Sequence, residues 1–238
     1  MNHHAVYADS GSAALPLHLL DRDAYGAWRS AQPAAVAAWL DAQAFQPTPG
    51  SVALLPGEAG VAGAVLGIGD PLDPHSYAHA PAALPAGTWT PAAALPAAPQ
   101  GPLPLGSGLG SYRFDRYKSA PRSPARLHLP QLDAEALDVL RATARVRDWV
   151  NTPTQDMGPQ HLEAIARELA AEHGAHVEVV EGDSLLAHNF PAIHAVGRAS
   201  HRAPRLIELR WGDHAHPHVV LVGKGVCFDT GGLDIKPA

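Results

Sequence analysis

The end of the chain, residues 219–237, constrains the fold more than any other stretch. It opens with four consecutive apolar residues at positions 219–222, three of them valine. Such a run is typical of a strand buried on both faces of a parallel sheet. Two single glycines and a Gly-Gly pair then predict a loop that carries Lys224, Asp229 and Lys236. In open α/β sheets ligands bind at the carboxyl ends of the strands, so this loop is the first candidate site.

The lysines of this loop suggest chemistry that needs an amine. Of the 17 lysine and arginine residues in the chain, only three are lysine, namely Lys118, Lys224 and Lys236. A buried amine can lose its proton and donate a lone pair, whereas a guanidinium cannot. Two lysines that frame Asp229 in a glycine-rich loop therefore favour a functional site. A solvated loop remains the alternative, since lysines are mostly exposed.

Residues 222–237, VGKGVCFDTGGLDIKP, resemble the signature of the leucyl (cytosol) aminopeptidases, the M17 metallopeptidases. The resemblance implies two divalent metal ions, manganese or zinc, with Lys224 as a ligand through its neutral amine and Asp229 through its carboxylate. Lys236 would be catalytic, because a cation there polarises the scissile carbonyl and stabilises the oxyanion. A bound bicarbonate is the expected base in the complete enzyme of that family.

The same resemblance implies an α/β fold in two parts. Residues 1–118 are expected to form a macrodomain-like α/β domain, and residues 119–132 a connection. Residues 133–238 would form a linking helix and the opening part of an α/β/α metallopeptidase catalytic domain. Residues 151–159, NTPTQDMGP, resemble the segment that opens this domain in the family. A length of 238 residues allows two such domains.

The expected activity is release of N-terminal residues from peptides, leucine preferred, by a metal-activated water in a cytoplasmic hexamer. The family's further Asp ligand and its Asp-x-Glu-x-Arg motif lie beyond the position of Lys236. We therefore expect this chain to be an inactive fragment with an incomplete active site. The alternative from another class is a non-catalytic binding or assembly module.

Two further partner classes are disfavoured by composition. The aromatic and basic residues 112–118 are compatible with nucleic-acid binding, but the net charge of −6 argues against it, and packing at a domain edge is the alternative. No apolar run reaches membrane-spanning length. A single cysteine fits a reducing, cytoplasmic compartment.

Three competing motifs in the same region are rejected. The Gly-Lys pair is not a P-loop, because His218 stands where that motif requires glycine and no Ser or Thr follows Lys224. Cys227 has no evident base nearby, which favours a packing role over a nucleophile. The alternating residues His214, His216 and His218 could share a strand face and bind zinc, but Pro217 breaks strand geometry, so a solvated lead-in is favoured.

Hydrophobic periodicity predicts a mixed sheet covered by helices. Strands are predicted at residues 15–20, 51–55, 61–68, 88–90, 126–129, 177–180, 205–211 and 219–222. Helices are predicted at residues 21–44 with a division at Pro33, near Tyr77, and at residues 133–150, 159–173 and 183–187. The helical piece that follows Pro33 is expected to bury a stripe of Val36, Trp39 and Leu40. Val139, Ala142, Val146 and Val150 line one face of the long helix.

Overall fold

The computed structural model describes residues 7, 13–58, 60–93, 101–119, 122–129 and 134–227. The chain divides into two compact units, Met1–Asp148 and Trp149–Ala238. Helices and strands alternate in both units, which confirms the predicted α/β class. Among these described residues, no helix is both long and apolar enough to cross a bilayer.

The first unit is built on a five-stranded sheet with strand order β2-β3-β1-β4-β5. Its strands are β1 (Leu15–Leu20), β2 (Val52–Gly57), β3 (Gly60–Gly67), β4 (Thr88–Pro91) and β5 (Arg126–Leu127). Its helices are α1 (Arg22–Ser30), α2 (Ala34–Ala42), α3 (Ala80–Ala83), α4 (Pro102–Ser111) and most of α5 (Ala134–Asn151), with a 3₁₀ turn at Pro74–Tyr77. β1 is central and parallel to both β3 and β4, whereas β2 pairs antiparallel with β3.

Two hydrophobic clusters cover the opposite faces of this sheet. Successive strand residues point to opposite faces, so Val65 and Leu66 of β3 belong to different clusters. Leu66 packs with Leu17, Trp89 and other buried residues, and Val65 packs with Tyr25 and the partners contributed by α1 and α2. Each fully buried side chain of this size stabilises the fold by about 1.5–3 kcal/mol relative to an exposed one.

The first helices begin and pack largely as the sequence predicts. Asp21 caps α1, since its side chain accepts a hydrogen bond from the backbone N–H of Ala24 at 2.8 Å. Leu40 of α2 is fully buried. The prediction for Trp39 was wrong, because its ring is nearly half-exposed and its Nε1 donates to the Leu54 carbonyl at 3.0 Å. A tryptophan whose polar edge is bonded at the surface needs no place in the core.

Helix α4 was not predicted, because its sequence PLPLGSGLGS is poor in helix-forming residues. Tertiary packing explains the glycines. A Cβ atom at Gly106 would lie 1.9 Å from the Pro74 carbonyl oxygen, and one at Gly110 would lie 1.7 Å from the Ala78 carbonyl oxygen. The helix therefore requires glycine where it crosses the backbone of residues 74–78.

The buried face of α5 is not its valine stripe. Ala136, Leu140 and Ala144 are buried, and a Cβ atom at Gly108 of α4 would lie 2.4 Å from Leu140. The neighbouring stripe, formed by Val139, Ala142, Val146 and Val150, is exposed. Asp133, where the sequence predicts this helix to begin, lies outside the described residues.

The described part of the second unit contains a two-stranded antiparallel sheet and three helices besides the end of α5. Its elements are α6 (Pro159–His173), β6 (His176–Glu181), α7 (Ser184–Ala187), α8 (Pro191–Gly197) and β7 (Arg205–Arg210), with β6 paired to β7. Gly158 precedes α6, and its N–H donates to Nδ1 of His161 at 2.8 Å. Gly174 ends α6 in the left-handed conformation with φ of 66°.

The predicted buried strand at residues 219–222 is not found. The segment has no strand structure, and its four side chains are 80–93% exposed. An apolar run becomes a buried strand only when other strands pair with it and other elements cover it. In the part of the chain that the structure describes, β6 and β7 pair only with each other.

Candidate metal and peptide site

The structure describes one of the three predicted site residues. Lys224 lies exposed on the segment 219–227, which is neither helix nor strand. Asp229 and Lys236 lie outside the described residues. The structure therefore locates Lys224 and the start of the signature loop.

Helix α6 fixes the position of the residue next to Lys224. A Cβ atom at Gly225 would lie 2.8 Å from Cδ1 of Leu162, so the backbone there packs directly on the first turn of α6. That distance is shorter than real Cβ contacts allow. The glycine predicted as part of the loop thus has a packing role, since it allows the chain to approach the helix closely.

Arg202 is the residue of this region that sequence reasoning missed. It lies in the loop between α8 and β7, and its guanidinium donates to the backbone oxygens of Thr154 and Gln155, the latter at 2.8 Å. Both acceptors belong to the segment that resembles the start of the family's catalytic domain. Backbone acceptors carry no side-chain pattern, so no signal in the sequence identifies this contact.

Cys227 is half-buried, three residues after Lys224. Burial raises the pKa of its thiol, and the positive charge of Arg202 opposes this rise as the smaller effect. A raised pKa leaves less thiolate at neutral pH, and the thiolate is the nucleophile. The predicted packing role is therefore favoured over a nucleophilic one.

The described residues do not form a metal centre by themselves. His214, His216 and His218 are exposed, and the ring centroids of His214 and His218 are 6.3 Å apart. Within the described ranges, His, Cys, Asp and Glu form no group of three or more placed to hold a metal ion. Lys224 alone provides too few donors for a divalent cation.

Tyr112, the first of the aromatic and basic residues 112–118, is anchored in the first unit, whereas residues 115–118 are exposed. The Tyr112 hydroxyl donates to Oδ1 of Asp148 at 2.8 Å, and the guanidinium carbon of Arg147 lies 5.4 Å from the centre of the Tyr112 ring. Nη1 of Arg147 also donates to the Leu109 carbonyl at 2.8 Å. These contacts with α5 favour packing at a domain edge over a free nucleic-acid surface.

Family models match both parts of the chain. Residues 15–130 match the model for the M17 aminopeptidase N-terminal domain. Residues 144–238 match the model for the catalytic domain of the cytosol aminopeptidase family. The chain belongs to the M17 aminopeptidase family. The resemblance carried by residues 222–237 is thereby confirmed.

Curated relatives of this M17 chain are considerably longer. The probable cytosol aminopeptidase of Rhodococcus opacus (strain B4) is 36% identical over 171 residues, which cover 64% of this chain and 34% of that protein. The probable cytosol aminopeptidase of Leifsonia xyli subsp. xyli is 34% identical over 223 residues, which cover 85% of this chain and 45% of that protein. The chain thus spans between a third and a half of the length of these relatives.

Solved structures confirm the M17 fold. The crystal structure of cytosol aminopeptidase from Coxiella burnetii is 35% identical with a TM-score of 0.87, covering 98% of this chain and 52% of that chain. The bottromycin maturation enzyme BotP, solved in complex with Mn, has a TM-score of 0.64 at 24% identity and covers 85% of this chain and 46% of its own. At that identity the second likeness shows the fold alone.

Proposed function

We propose that this M17 chain carries the chemistry of a metal-dependent aminopeptidase that releases N-terminal residues, with leucine preferred, from peptides. The single observation that supports this most is the match of residues 144–238 to the catalytic-domain model, because Lys224, Asp229 and Lys236 all lie within it. The match also favours an enzyme over the non-catalytic module.

The proposed roles follow from what each side chain can donate. Lys224 would contribute a neutral amine and Asp229 a carboxylate to a pair of divalent cations, while Lys236 would remain a cation facing the peptide carbonyl. When bound, such ions supply Lewis acidity and a water of lowered pKa. A cation at Lys236 stabilises negative charge that develops on the carbonyl oxygen.

The role assigned to Lys224 sets a condition on this proposal. An amine must lose its proton before it can donate to a metal. Binding therefore releases a proton, and the metal affinity should increase with pH. An arginine at position 224 could not take this role, because a guanidinium does not lose its proton.

The test is manganese binding, measured by calorimetry, in the wild-type chain and in Lys224→Met, Asp229→Asn and Lys236→Met. We expect the first two variants to weaken binding by at least about tenfold, because each removes a proposed ligand. Lys236→Met should leave the affinity nearly unchanged, because Lys236 is not a proposed ligand. Lys118→Met is the matched control, because Lys118 is an exposed lysine outside the signature. Equal affinity in Lys224→Met and Lys118→Met would contradict the assigned ligand.

Hydrolysis of a leucine chromogenic amide tests the activity itself. In a chain that also carries the family's further Asp ligand and its Asp-x-Glu-x-Arg motif, chelator-sensitive turnover that Lys236→Met lowers by about 10²-fold, at unchanged metal affinity, is expected for a carbonyl-polarising cation. Chelator-insensitive turnover would contradict metal dependence. The same assay on alanine and leucine amides measures the leucine preference.

Location, assembly and domain boundaries are further proposals. We propose a cytoplasmic protein that assembles as a hexamer, with peptides as substrates and zinc as the alternative metal. Sedimentation velocity would measure the assembly as six times the 24.9 kDa mass of one chain. The boundaries proposed are residues 1–118, 119–132 and 133–238, and limited proteolysis is expected to cut first within 119–132.

A further inference from the structure

Arg202 joins two stretches of the second unit that are far apart in sequence. Its guanidinium donates to the carbonyl oxygens of Thr154 and Gln155, which lie 48 and 47 residues away along the chain. Its own backbone N–H donates to Oγ of Ser200 at 3.1 Å, which fixes the loop from which the side chain extends. The planar fork of an arginine suits two successive carbonyls in a way that the single ammonium of lysine does not.

The side chain of Arg202 lies across the start of α6. A Cβ atom at Gly158 would lie 2.6 Å from Oε1 of Gln160 and 2.9 Å from both Cδ and Nη1 of Arg202. Gly158 has φ of −97° and ψ of 178°, an extended conformation open to any residue. The space at Gly158 is therefore limited by these two side chains and not by its backbone conformation.

The segment that carries Lys224 reaches the same part of the unit. Gly225 packs on Leu162, in the first turn of α6, and Cys227 lies within electrostatic reach of the Arg202 guanidinium. Two groups of residues thus lie at the start of α6. One is Arg202 with residues 154–155, and the other is residues 225–227. Arg202 contacts residues 154–155 directly, and its charge also acts on Cys227.

We propose that Arg202 is a positioning residue that ties residues 154–155 to the start of α6 beside Cys227 and so fixes the backbone that carries Lys224 and leads to Asp229. The metal-binding role of Lys224 and Asp229 rests on the proposed function, whereas the tie itself rests on the contacts described above. The tie acts through backbone placement, because Arg202 is not one of the proposed ligands.

Two measurements on the intact chain test the tie without any metal. Hydrogen exchange follows the amides of residues 154–158, and alkylation by N-ethylmaleimide at one fixed pH follows Cys227, the only cysteine. Arg202→Lys keeps the charge but loses the fork, so we expect both rates to increase by about three- to tenfold. Arg198→Lys is the matched control, an exposed arginine at the end of α8 that should change neither rate.

A second variant reaches the same contact from the other side. Gly158→Ala keeps Arg202 but places a methyl group 2.9 Å from its Cδ and Nη1, and it should increase the same two rates. An increase confined to residues 154–158, with alkylation of Cys227 unchanged in both variants, would overturn the proposal. It would show that Arg202 stabilises its own loop and does not position residues 225–227.

A third measurement, manganese affinity by calorimetry, separates this proposal from the proposed function. We expect Arg202→Lys to weaken manganese binding by about three- to tenfold relative to Arg198→Lys, as removal of a supporting contact does. A wild-type chain that binds no manganese would contradict the proposed ligands, while the exchange and alkylation rates would still decide the tie. Wild-type binding that is unchanged in Arg202→Lys would overturn the positioning role.

Discussion

A histidine and a tryptophan on the first strand and helix form a pair whose chemistry depends on pH. Nδ1 of His18 accepts a hydrogen bond from Nε1 of Trp28 at 3.0 Å, and the ring centroids are 4.8 Å apart. Only a neutral imidazole has a nitrogen free to accept, so the proton of His18 must be on Nε2. Burial lowers the pKa of His18, which also favours the neutral form.

The first prediction concerns the pH dependence of stability that this pair produces. The pKa of His18 is lower in the folded state than its ordinary value of 6.5 in the unfolded chain. The unfolded state therefore binds the proton first, and the contribution of His18 is fully present above pH 6.5 and is lost as the pH falls through the lowered pKa. Urea unfolding between pH 7.5 and pH 5, followed by tryptophan fluorescence, measures this loss.

His18→Gln is the control for that prediction, because glutamine can still accept from Trp28 and does not titrate. Other histidines contribute equally to both proteins, so the difference between them isolates His18. Parallel stability curves of wild type and His18→Gln across this pH range would contradict the assignment.

Residues that act through their own side-chain chemistry are the ones that a sequence motif can propose. Lys224, Asp229 and Lys236 are proposed because they form a spaced signature in a glycine-rich loop. Arg202 could not be chosen, since its partners are carbonyl oxygens that every residue possesses. The sequence predicts only a packing role for Cys227. It does not predict the nearby charge of Arg202, which acts on the thiol.

At the scale of elements, glycines inside helices act in opposite directions according to their surroundings. The second prediction compares Gly26→Ala in α1 with Gly110→Ala in α4. Nothing lies within 4 Å of a Cβ atom at Gly26, so alanine there should stabilise the fold by about 0.5–1 kcal/mol through its better helix propensity. A Cβ atom at Gly110 would lie 1.7 Å from a backbone oxygen, so alanine there should destabilise by about 2 kcal/mol or more.

Urea denaturation of the two variants checks both signs. The pair is its own control, because the chemical change is identical and only the surroundings differ. Two variants of equal stability would show that α4 can move away from residues 74–78 without cost.

The third prediction concerns the ion pairs that join α6 to the small sheet. Arg205 of β7 contacts Glu163 of α6 at 2.8 Å and also pairs with Glu181 of β6, and the Arg205 and Glu163 side chains are only 13% and 19% exposed. Arg205→Met would leave Glu163 largely buried without this partner, and it should cost about 2 kcal/mol. Arg167→Met removes an exposed partner of the same Glu163 and should cost less than about 0.5 kcal/mol.

Hydrogen exchange of the β6 and β7 amides measures these two variants within the second unit. Similar exchange in Arg205→Met and Arg167→Met would mean that burial does not decide the contribution of the pair. Arg205 would then contribute no more to stability than an exposed surface arginine does.

Elements with strong periodicity were predicted well, and elements that depend on distant partners were not. The positions of β1, β3, α6 and β6 agree with the prediction because their own residues set the pattern. Helix α4 was missed because its glycines are explained only by the backbone of residues 74–78, which no local rule includes. Helix α5 has apolar residues both in its valine stripe and beside it. Only the structure shows that the buried face is the one that carries Leu140.

At the scale of the whole molecule, the segment 219–222 is its largest departure from expectation. The fourth prediction is that Leu221→Lys changes the free energy of unfolding by less than about 0.5 kcal/mol, because the side chain is 92% exposed. The same change should lower light scattering at high concentration, since exposed β-branched runs promote association. Leu66→Ala, at a fully buried position, is the control and should cost about 2–5 kcal/mol.

A loss of more than 2 kcal/mol in Leu221→Lys would show that the segment is buried in solution, as the sequence predicted. Burial of a strand is a property of its neighbours, so the residues 219–222 could not decide it alone. Strand order has the same limitation: β1 pairs with β4, and Leu15 faces Trp89 across 74 positions of sequence. The α/β class and the family could be predicted from sequence, but the order β2-β3-β1-β4-β5 could not.

The central place of β1 bears on how the protein is made. The ribosome releases β1 first, yet its two neighbours, β3 and β4, follow only at Gly60–Gly67 and Thr88–Pro91, and β5 completes the sheet at Leu127. Parallel pairing over such separations is slow, because loop closure costs entropy before any contact forms. A nascent chain that has emerged only to α2 therefore carries an unpaired apolar strand, and we expect this interval of synthesis to be the one in which it depends most on chaperones.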